Sequence, residues 1–353
     1  MNVLFVVPYP IGKAASQRFR VEQFLPYLEK HGIKYKLAPF WSMYTYGILY
    51  RKGHTLHKIA GTLAGFVRRL FLLFQLHKYD FVFVHREATP IGPPWFEWCI
   101  AKIFRKKLIF DFDDAIWLEN TSDENSSAAK YKQHHKATKI CTWSYKVSVG
   151  NSFLQQFASK YNRQAVYLPT TVDTAKYSQS KQHSAKKVVI GWTGSHSTLP
   201  YLKILEPVLR QLEQKYTFDF MVIADKVPDL KLNSLRFVRW QPETETEDLL
   251  QFDIGVMPLP DTEWTKGKCA FKALQYMALG IPAVVSAVGT NVDAVPNGEA
   301  GYTCTTAQEW HTCLEQLIVD ANLRTRLGAN GKAWVSEKYS LQAHLPTFLS
   351  LFG

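Results

Sequence analysis

Residues 254–291, IGVMPLPDTEWTKGKCAFKALQYMALGIPAVVSAVGTN, carry the clearest fold signal in the chain. Ile254–Met257 is a short apolar run that stops at Pro258. A polar loop with Asp261, Lys266, Gly267 and Lys268 follows, then a stretch of helical spacing that contains Lys272 and Gln275. Gly280, Ile281 and Pro282 lead into a second apolar run, Ala283–Val285. Strand, helix and strand in that order, with strands apolar throughout, are the repeating unit of a parallel sheet covered on both faces. Lysines just before and inside the first helical turn oppose the helix dipole, which becomes favourable when a diphosphate sits there. If the helix has begun by Lys268, then Lys268 and Lys272 lie on one face. The plain alternative is a pair of solvated lysines beside a buried helix.

The same alternation extends in both directions. Upstream in this half, Val188–Trp192, Asp219–Ile223 and Arg236–Val238 read as strands with helical segments between them. In the amino-terminal half, Val3–Val7, Lys34–Leu37, Phe81–Val84, Lys107–Phe110 and Lys146–Val149 do the same, and a helical pattern through Phe24, Leu25, Tyr27 and Leu28 ends at His31-Gly32. A chain of 353 residues exceeds one ordinary core. Two doubly wound α/β domains are therefore expected. The expected divisions are residues 1–170, a polar linker over 171–186 (within TVDTAKYSQSKQHSAKK), a second domain over 187–338, and a last helix within 339–353 placed to pack back on the first domain.

Composition narrows the class. Five scattered cysteines without CxxC spacing argue for a reducing compartment and against a zinc site or disulfide frame. The opening MNVLFVVPYP lacks a basic n-region and reads as a first strand rather than a signal peptide. The longest apolar stretch, 59–76, is broken by Arg68 and Arg69, so no transmembrane helix is expected. The net charge of +12 is unevenly placed: 24 Lys and Arg face 12 Asp and Glu in residues 1–175, against 18 and 18 in the remainder. A basic half implies a polyanionic neighbour such as an anionic membrane surface or a phosphorylated acceptor. No nucleic-acid motif is present, and no nucleic-acid partner is expected. The stripe from Leu56 to Leu76, including Leu63, Phe66, Val67, Leu70, Phe71 and Phe74 with Lys58, Arg68, Arg69 and Lys78, fits either a core helix or a peripheral membrane contact.

Four further segments stand at strand ends, where open α/β sheets bind ligands. In PYPIGKAASQRFR, Gly12 permits a tight path, Ser16 is placed to cap the next helix, and Arg18 and Arg20 fall in its first turns, where cations need an anion nearby. His85 and Arg86 follow the run FVFV and are candidates to face the ligand. Asp111-Phe112-Asp113-Asp114 places three carboxylates in four positions, which repel one another unless they hold a cation or act on a substrate. A divalent-ion site, a phosphatase nucleophile, a single cleft-facing Asp and an acidic helix start all fit that pattern. In GWTGSHSTLP, Thr193, Gly194 and Ser195 offer a close backbone approach and hydroxyl donors to a phosphate.

Taken in order, RFRVEQFLPYLEKHGI, VGNSFLQQFASKYNRQAVYLPTTVDTAKY, GWTGSHSTLPYL and the block from DIGVMPLPD through MALGIPAVVS to NGEAGY resemble the retaining GT-B glycosyltransferases of group 1, the family 4-like enzymes that include sucrose synthases and mannosyltransferases. The resemblance runs over nearly the whole chain. It implies a GT-B fold of two Rossmann-like domains with an interdomain cleft, with a nucleotide-sugar donor held mainly by the second and a glycan or lipid-linked acceptor mainly by the first. It implies no metal or other cofactor, because helix dipole and basic side chains neutralise the leaving diphosphate. Thr193, Gly194 and Ser195 would approach that diphosphate, Lys268 and Lys272 would carry its charge, and Asp113 would stand beside the sugar as the catalytic candidate. The family's Glu-x7-Glu pair falls on Gly267 and Gln275, so Gln275 retains only hydrogen bonding to a ribose, and Asp261 would have to supply a carboxylate from the loop. The resemblance implies a retaining transferase of surface polysaccharide or glycoconjugate synthesis, and the basic amino-terminal half adds the expectation of a cytoplasmic protein peripheral at the inner membrane face. A non-catalytic nucleotide-sugar-binding subunit and a nucleotide-sugar epimerase share these features.

Overall fold

The computed structural model describes residues 1–49, 51, 53–119, 133–181 and 187–353. The chain divides into two compact units, one formed by residues 1–170 and 344–353, the other by residues 171–343. Each is described by itself.

Unit 1 is built on six parallel strands: β1 (Asn2–Val7), β2 (Lys34–Pro39), β3 (Phe81–His85), β4 (Lys107–Phe112), β5 (Lys146–Val149) and β6 (Ala165–Tyr167), in the order β2-β1-β3-β4-β5-β6. Central β1 is wholly buried from Val3 to Val7, as its unbroken apolar run requires. The switch in strand order falls between β1 and β3. Arg69 knits that end of the sheet together. Its buried guanidinium donates to the carbonyls of Val7 (3.0 Å), Ala38 (2.9 Å) and Ala88 (2.8 Å), which follow or end β1, β2 and β3. Burial lowers the Arg69 pKa to about 9. Residues 344–353 complete this unit: Phe348 stacks on Phe24 with ring centroids 4.1 Å apart, and the Lys146 ammonium donates to the Gly353 carbonyl at 2.8 Å.

Unit 2 repeats the plan with β7 (Val188–Gly194), β8 (Phe218–Ala224), β9 (Leu235–Arg239), β10 (Ile254–Met257), β11 (Ala283–Ser286) and β12 (Gly301–Cys304), in the order β12-β11-β10-β7-β8-β9. This is the dinucleotide-fold order, with its switch between β7 and β10. Successive residues feed opposite cores. Met221 and Ile223 of β8 pack on one side with the helix Phe271–Ala278, and Phe220 and Val222 pack on the other with Leu209 and Leu314. A sheet buried on both faces needs that double supply of apolar side chains.

Several expectations change. Two strands, β6 and β12, are not among those expected; both are short sheet edges, of three and four residues, with part-exposed side chains. The described part of the expected linker, 171–181, is packed on unit 2: Val172 pairs with the backbone at Tyr339 and Leu341, Tyr177 is buried, and the Lys181 ammonium reaches Asp253 at 3.3 Å. Residues 182–186 of that linker lie outside the described residues. The stripe over the helix Thr55–Leu73 is not core in the main: Leu72 and Leu76 are buried, but Leu63, Val67, Leu70, Phe71 and Phe74 are exposed. Arg69 is not a surface cation.

Candidate functional site

In unit 1 the switch between β1 and β3 gathers the loop after β1, the end of β3 and the end of β4. A linear hydrogen-bonded chain runs through it. The Ser16 hydroxyl lies 2.9 Å from Nε2 of His85, and Nδ1 of His85 lies 2.8 Å from Asp111 Oδ2. The other Asp111 oxygen is paired with the guanidinium of Arg20, which also donates to Ser148 Oγ at 3.0 Å and to the Leu168 carbonyl. Arg20, His85 and Asp111 are all shut off from solvent. Burial opposes charge on Asp111, yet Arg20 and His85 outweigh it and hold the carboxyl at about 2. With Asp111 ionised, Nδ1 of His85 is the donor to it, and Nε2 of the same ring faces the Ser16 hydroxyl.

Beside this chain, Arg86 occupies a left-handed backbone conformation (φ 61°), a costly state for a long side chain that is characteristic of sites held by their surroundings. Its guanidinium donates to Asp114 at 2.8 Å and Asp113 at 3.2 Å. Burial works against its charge, and the two carboxylates more than restore it, raising its pKa. Lys136 pairs with Glu87 at 2.7 Å. A polar pocket opens here, lined by Tyr9, Arg86, Ile116, His134 and Lys136 among others.

These positions bear on the alternatives for the acidic cluster. Asp111 and Asp113 are drawn to different cations, Arg20 and Arg86, and among the described residues no group of three or more His, Cys, Asp or Glu is arranged to hold a metal. Asp111 is too enclosed to serve as a phosphatase nucleophile. No helix begins at Asp113 or Asp114. Asp113 is part-exposed beside Arg86. Other candidates differ from expectation. Ser16 caps no helix: the N-cap of Ala15–Arg20 is Ala14, and the serine is committed to His85. Arg20 finds its anion inside the protein. Gly12 is left-handed (φ 78°), but its N–H is taken by Glu22 at 2.9 Å. Arg18 lies on that short helix, part-exposed over the Phe19 ring.

In unit 2 the switch brings the end of β7 against the loop and helix that follow β10. The Thr193 N–H donates to the hydroxyl of Tyr276, on the helix Phe271–Ala278, at 3.0 Å. At Gly194 an added Cβ would meet the Trp192 ring at 2.5 Å and Cε of Lys272 at 2.9 Å, so only glycine fits. The Lys272 ammonium lies 5.5 Å from the centre of the Trp192 ring, and that of Lys268 lies 5.0 Å from the Trp264 ring. The helix begins at Phe271 behind Ala270, a non-glycine residue held at φ 53°, and no side chain caps it. Lys268 precedes the helix, so the two lysines do not share a helical face. Lys272 does sit in the first turn, where a cation and the dipole oppose each other unless an anion intervenes.

The remaining donor-side candidates are committed elsewhere. Gln275 is buried and donates to the Tyr177 hydroxyl at 2.8 Å. Asp261 and Glu263 turn out to solvent around Lys266, at 3.8 and 2.8 Å, so neither fills the place of the family's first Glu. The Ser195 hydroxyl bonds Ser197 at 2.9 Å within the loop. A residue that sequence reasoning missed, Asp225 after β8, anchors this loop by accepting the His196 backbone N–H and contacting its Nδ1, both at 2.6 Å. Its signal was present, an Asp closing the strand at the carboxyl edge.

Residues 187–320, which contain this second site, match the family of group 1 glycosyl transferases. No curated protein matches the chain by sequence. Among solved structures, sucrose-phosphate synthase from Thermosynechococcus elongatus is 14% identical, with 99% of this chain and 98% of that one covered and a TM-score of 0.73. HepE of Anabaena, in complex with UDP and glucose, is 14% identical over 99% and 98% with a TM-score of 0.68. The catalytic domain of starch synthase IV from Arabidopsis thaliana, bound to ADP and acarbose, is 10% identical over 99% and 98% with a TM-score of 0.70. The fold is GT-B.

Proposed function

We propose that the chain is a glycosyltransferase that moves a hexose-type sugar from a nucleoside-diphosphate sugar to a glycan or lipid-linked acceptor, with retention and without a metal. The observation that carries this is the placement of Lys272 against Gly194 at the switch of unit 2, inside the segment that matches group 1 glycosyl transferases. There the glycine gives the backbone its close approach, and Lys272 meets the leaving diphosphate at the helix start. Thr193 and Lys268 are the further donor contacts in this reading. Asp113, with Arg86 beside it, accepts and orients the acceptor hydroxyl on unit 1. Synthesis of a surface polysaccharide at the inner face of a membrane is the setting that fits such an acceptor.

Purified chain is tested first by thermal shift with UDP, GDP, ADP and CMP sugars, because a bound ligand raises apparent stability by mass action. Transfer of label from the preferred donor to an acceptor panel follows. Lys272→Ala lowers kcat/KM tenfold or more, about 1.4 kcal/mol in transition-state stabilisation. Unchanged kinetics in the folded variant remove Lys272 from the reaction. The burial of Gln275 and the outward turn of Asp261 favour one other reading, a nucleotide-sugar-binding subunit without turnover. Tight donor binding with no transfer to any acceptor selects it, and turnover of the donor sugar without an acceptor selects an epimerase.

A further inference from the structure

The helix Thr55–Leu73 is laid on unit 1 in an unusual way. Its inner face is small: a Cβ on Gly61 would meet Thr45 at 2.4 Å, and one on Gly65 would meet the Phe40 ring at 2.5 Å. Phe66 and Leu72 apart, the large apolar residues point outward instead. Leu56, Ile59, Leu63, Val67, Leu70 and, just past the helix end, Phe74 follow one another at intervals of three and four and are 48–79% exposed. That spacing is one continuous helical stripe. Met43 and Tyr44, on the neighbouring helix Met43–Leu49, widen it, for the Tyr44 ring lies 6.1 Å from that of His57. An exposed apolar face of this extent marks an interaction surface.

Charge selects the occupant. Between Glu29 and Asp80 the chain carries nine Lys and Arg and no Asp or Glu. One of the nine, Arg69, is buried in its clamp of carbonyls, whereas Arg51 and Arg68 are exposed at the ends and flank of the stripe. A second copy of the same face would set one carboxylate-free cationic surface against another. A bilayer with anionic headgroups matches both properties, since it takes the leucines and phenylalanines into its acyl boundary and the cations at its phosphates. Among the described residues no helix is long and apolar enough to cross a membrane, so such contact lies in the surface plane. A helix of 19 residues offers a contact roughly 28 Å long.

We infer that the face of the helix Thr55–Leu73 is a docking surface for an anionic lipid bilayer. The inference stands apart from sugar transfer, and its test reads lipid binding alone. Full-length protein is floated with phosphatidylcholine vesicles and with phosphatidylcholine–phosphatidylglycerol vesicles, at low and high salt. Binding to the anionic vesicles, weakened by salt and reduced tenfold or more in the triple variant Leu63→Ser, Phe71→Ser, Phe74→Ser, is the expected result. The three side chains are exposed, so circular dichroism and thermal denaturation of the variant stay at wild type. Failure to bind anionic vesicles, equal binding to neutral ones, or undiminished binding by the variant overturns the proposal. So does a dimer in sedimentation that the variant abolishes while vesicle binding is absent, for then the face belongs to a second copy.

Discussion

The two carboxyl edges are made of opposite materials. In unit 1 the edge is polar and buried: Arg20, His85 and Asp111 form a sealed network, and Arg86 is bracketed by Asp113 and Asp114. In unit 2 the edge is steric: Gly194 accommodates Lys272 and an indole, and Ala270 bends left-handed at the head of a helix. The same sheet end can thus be held by charge, which is costly to disturb, or by close approach, which is sensitive to a single methyl group. The first kind resists change through desolvation, the second through volume.

The largest expected effect is on the charged edge. Asp111→Ala leaves the Arg20 guanidinium buried without its carboxylate and destabilises the protein by about 3–5 kcal/mol in urea unfolding. An apolar pair, Arg20→Met with Asp111→Leu, costs less than Asp111→Ala alone. If the single variant loses under about 1 kcal/mol, the network is not what holds unit 1. Acid gives a reversible version of the same loss. The Asp111 carboxyl is held near 2, below its ordinary value, so its contribution is complete above about pH 4 and disappears as pH falls through 2. The amount is about 2 kcal/mol, and an Asp111→Ala background should flatten that part of the stability profile.

Gly194→Ala comes next, at about 1–3 kcal/mol of overpacking, and it also pushes Lys272 from its place. Donor affinity by calorimetry should fall in step, and a variant that binds donor like wild type would show that the close approach is incidental. The smallest effect belongs to Ser16→Ala, about 0.5–1.5 kcal/mol for one part-buried hydrogen bond. A larger change in transfer rate than in stability would assign the Ser16–His85 chain to acceptor handling rather than to folding.

The sequence alone determined the layering. Buried parallel strands must be apolar on both faces, and the central strands carry runs that say so; of the twelve described strands the two it left out, β6 and β12, are short edge strands. It also determined that Gly194 and the lysines near 270 belong to strand ends, because strand-helix order fixes that. Tertiary structure decided the partners. Asp111 is separated from Arg20 by 91 residues and from His85 by 26, and no local pattern encodes which cation each carboxylate meets. It likewise decided which face of the helix Thr55–Leu73 is buried, since apolar spacing fixes a stripe without fixing its direction, and glycine at 61 and 65 drew the opposite side inward.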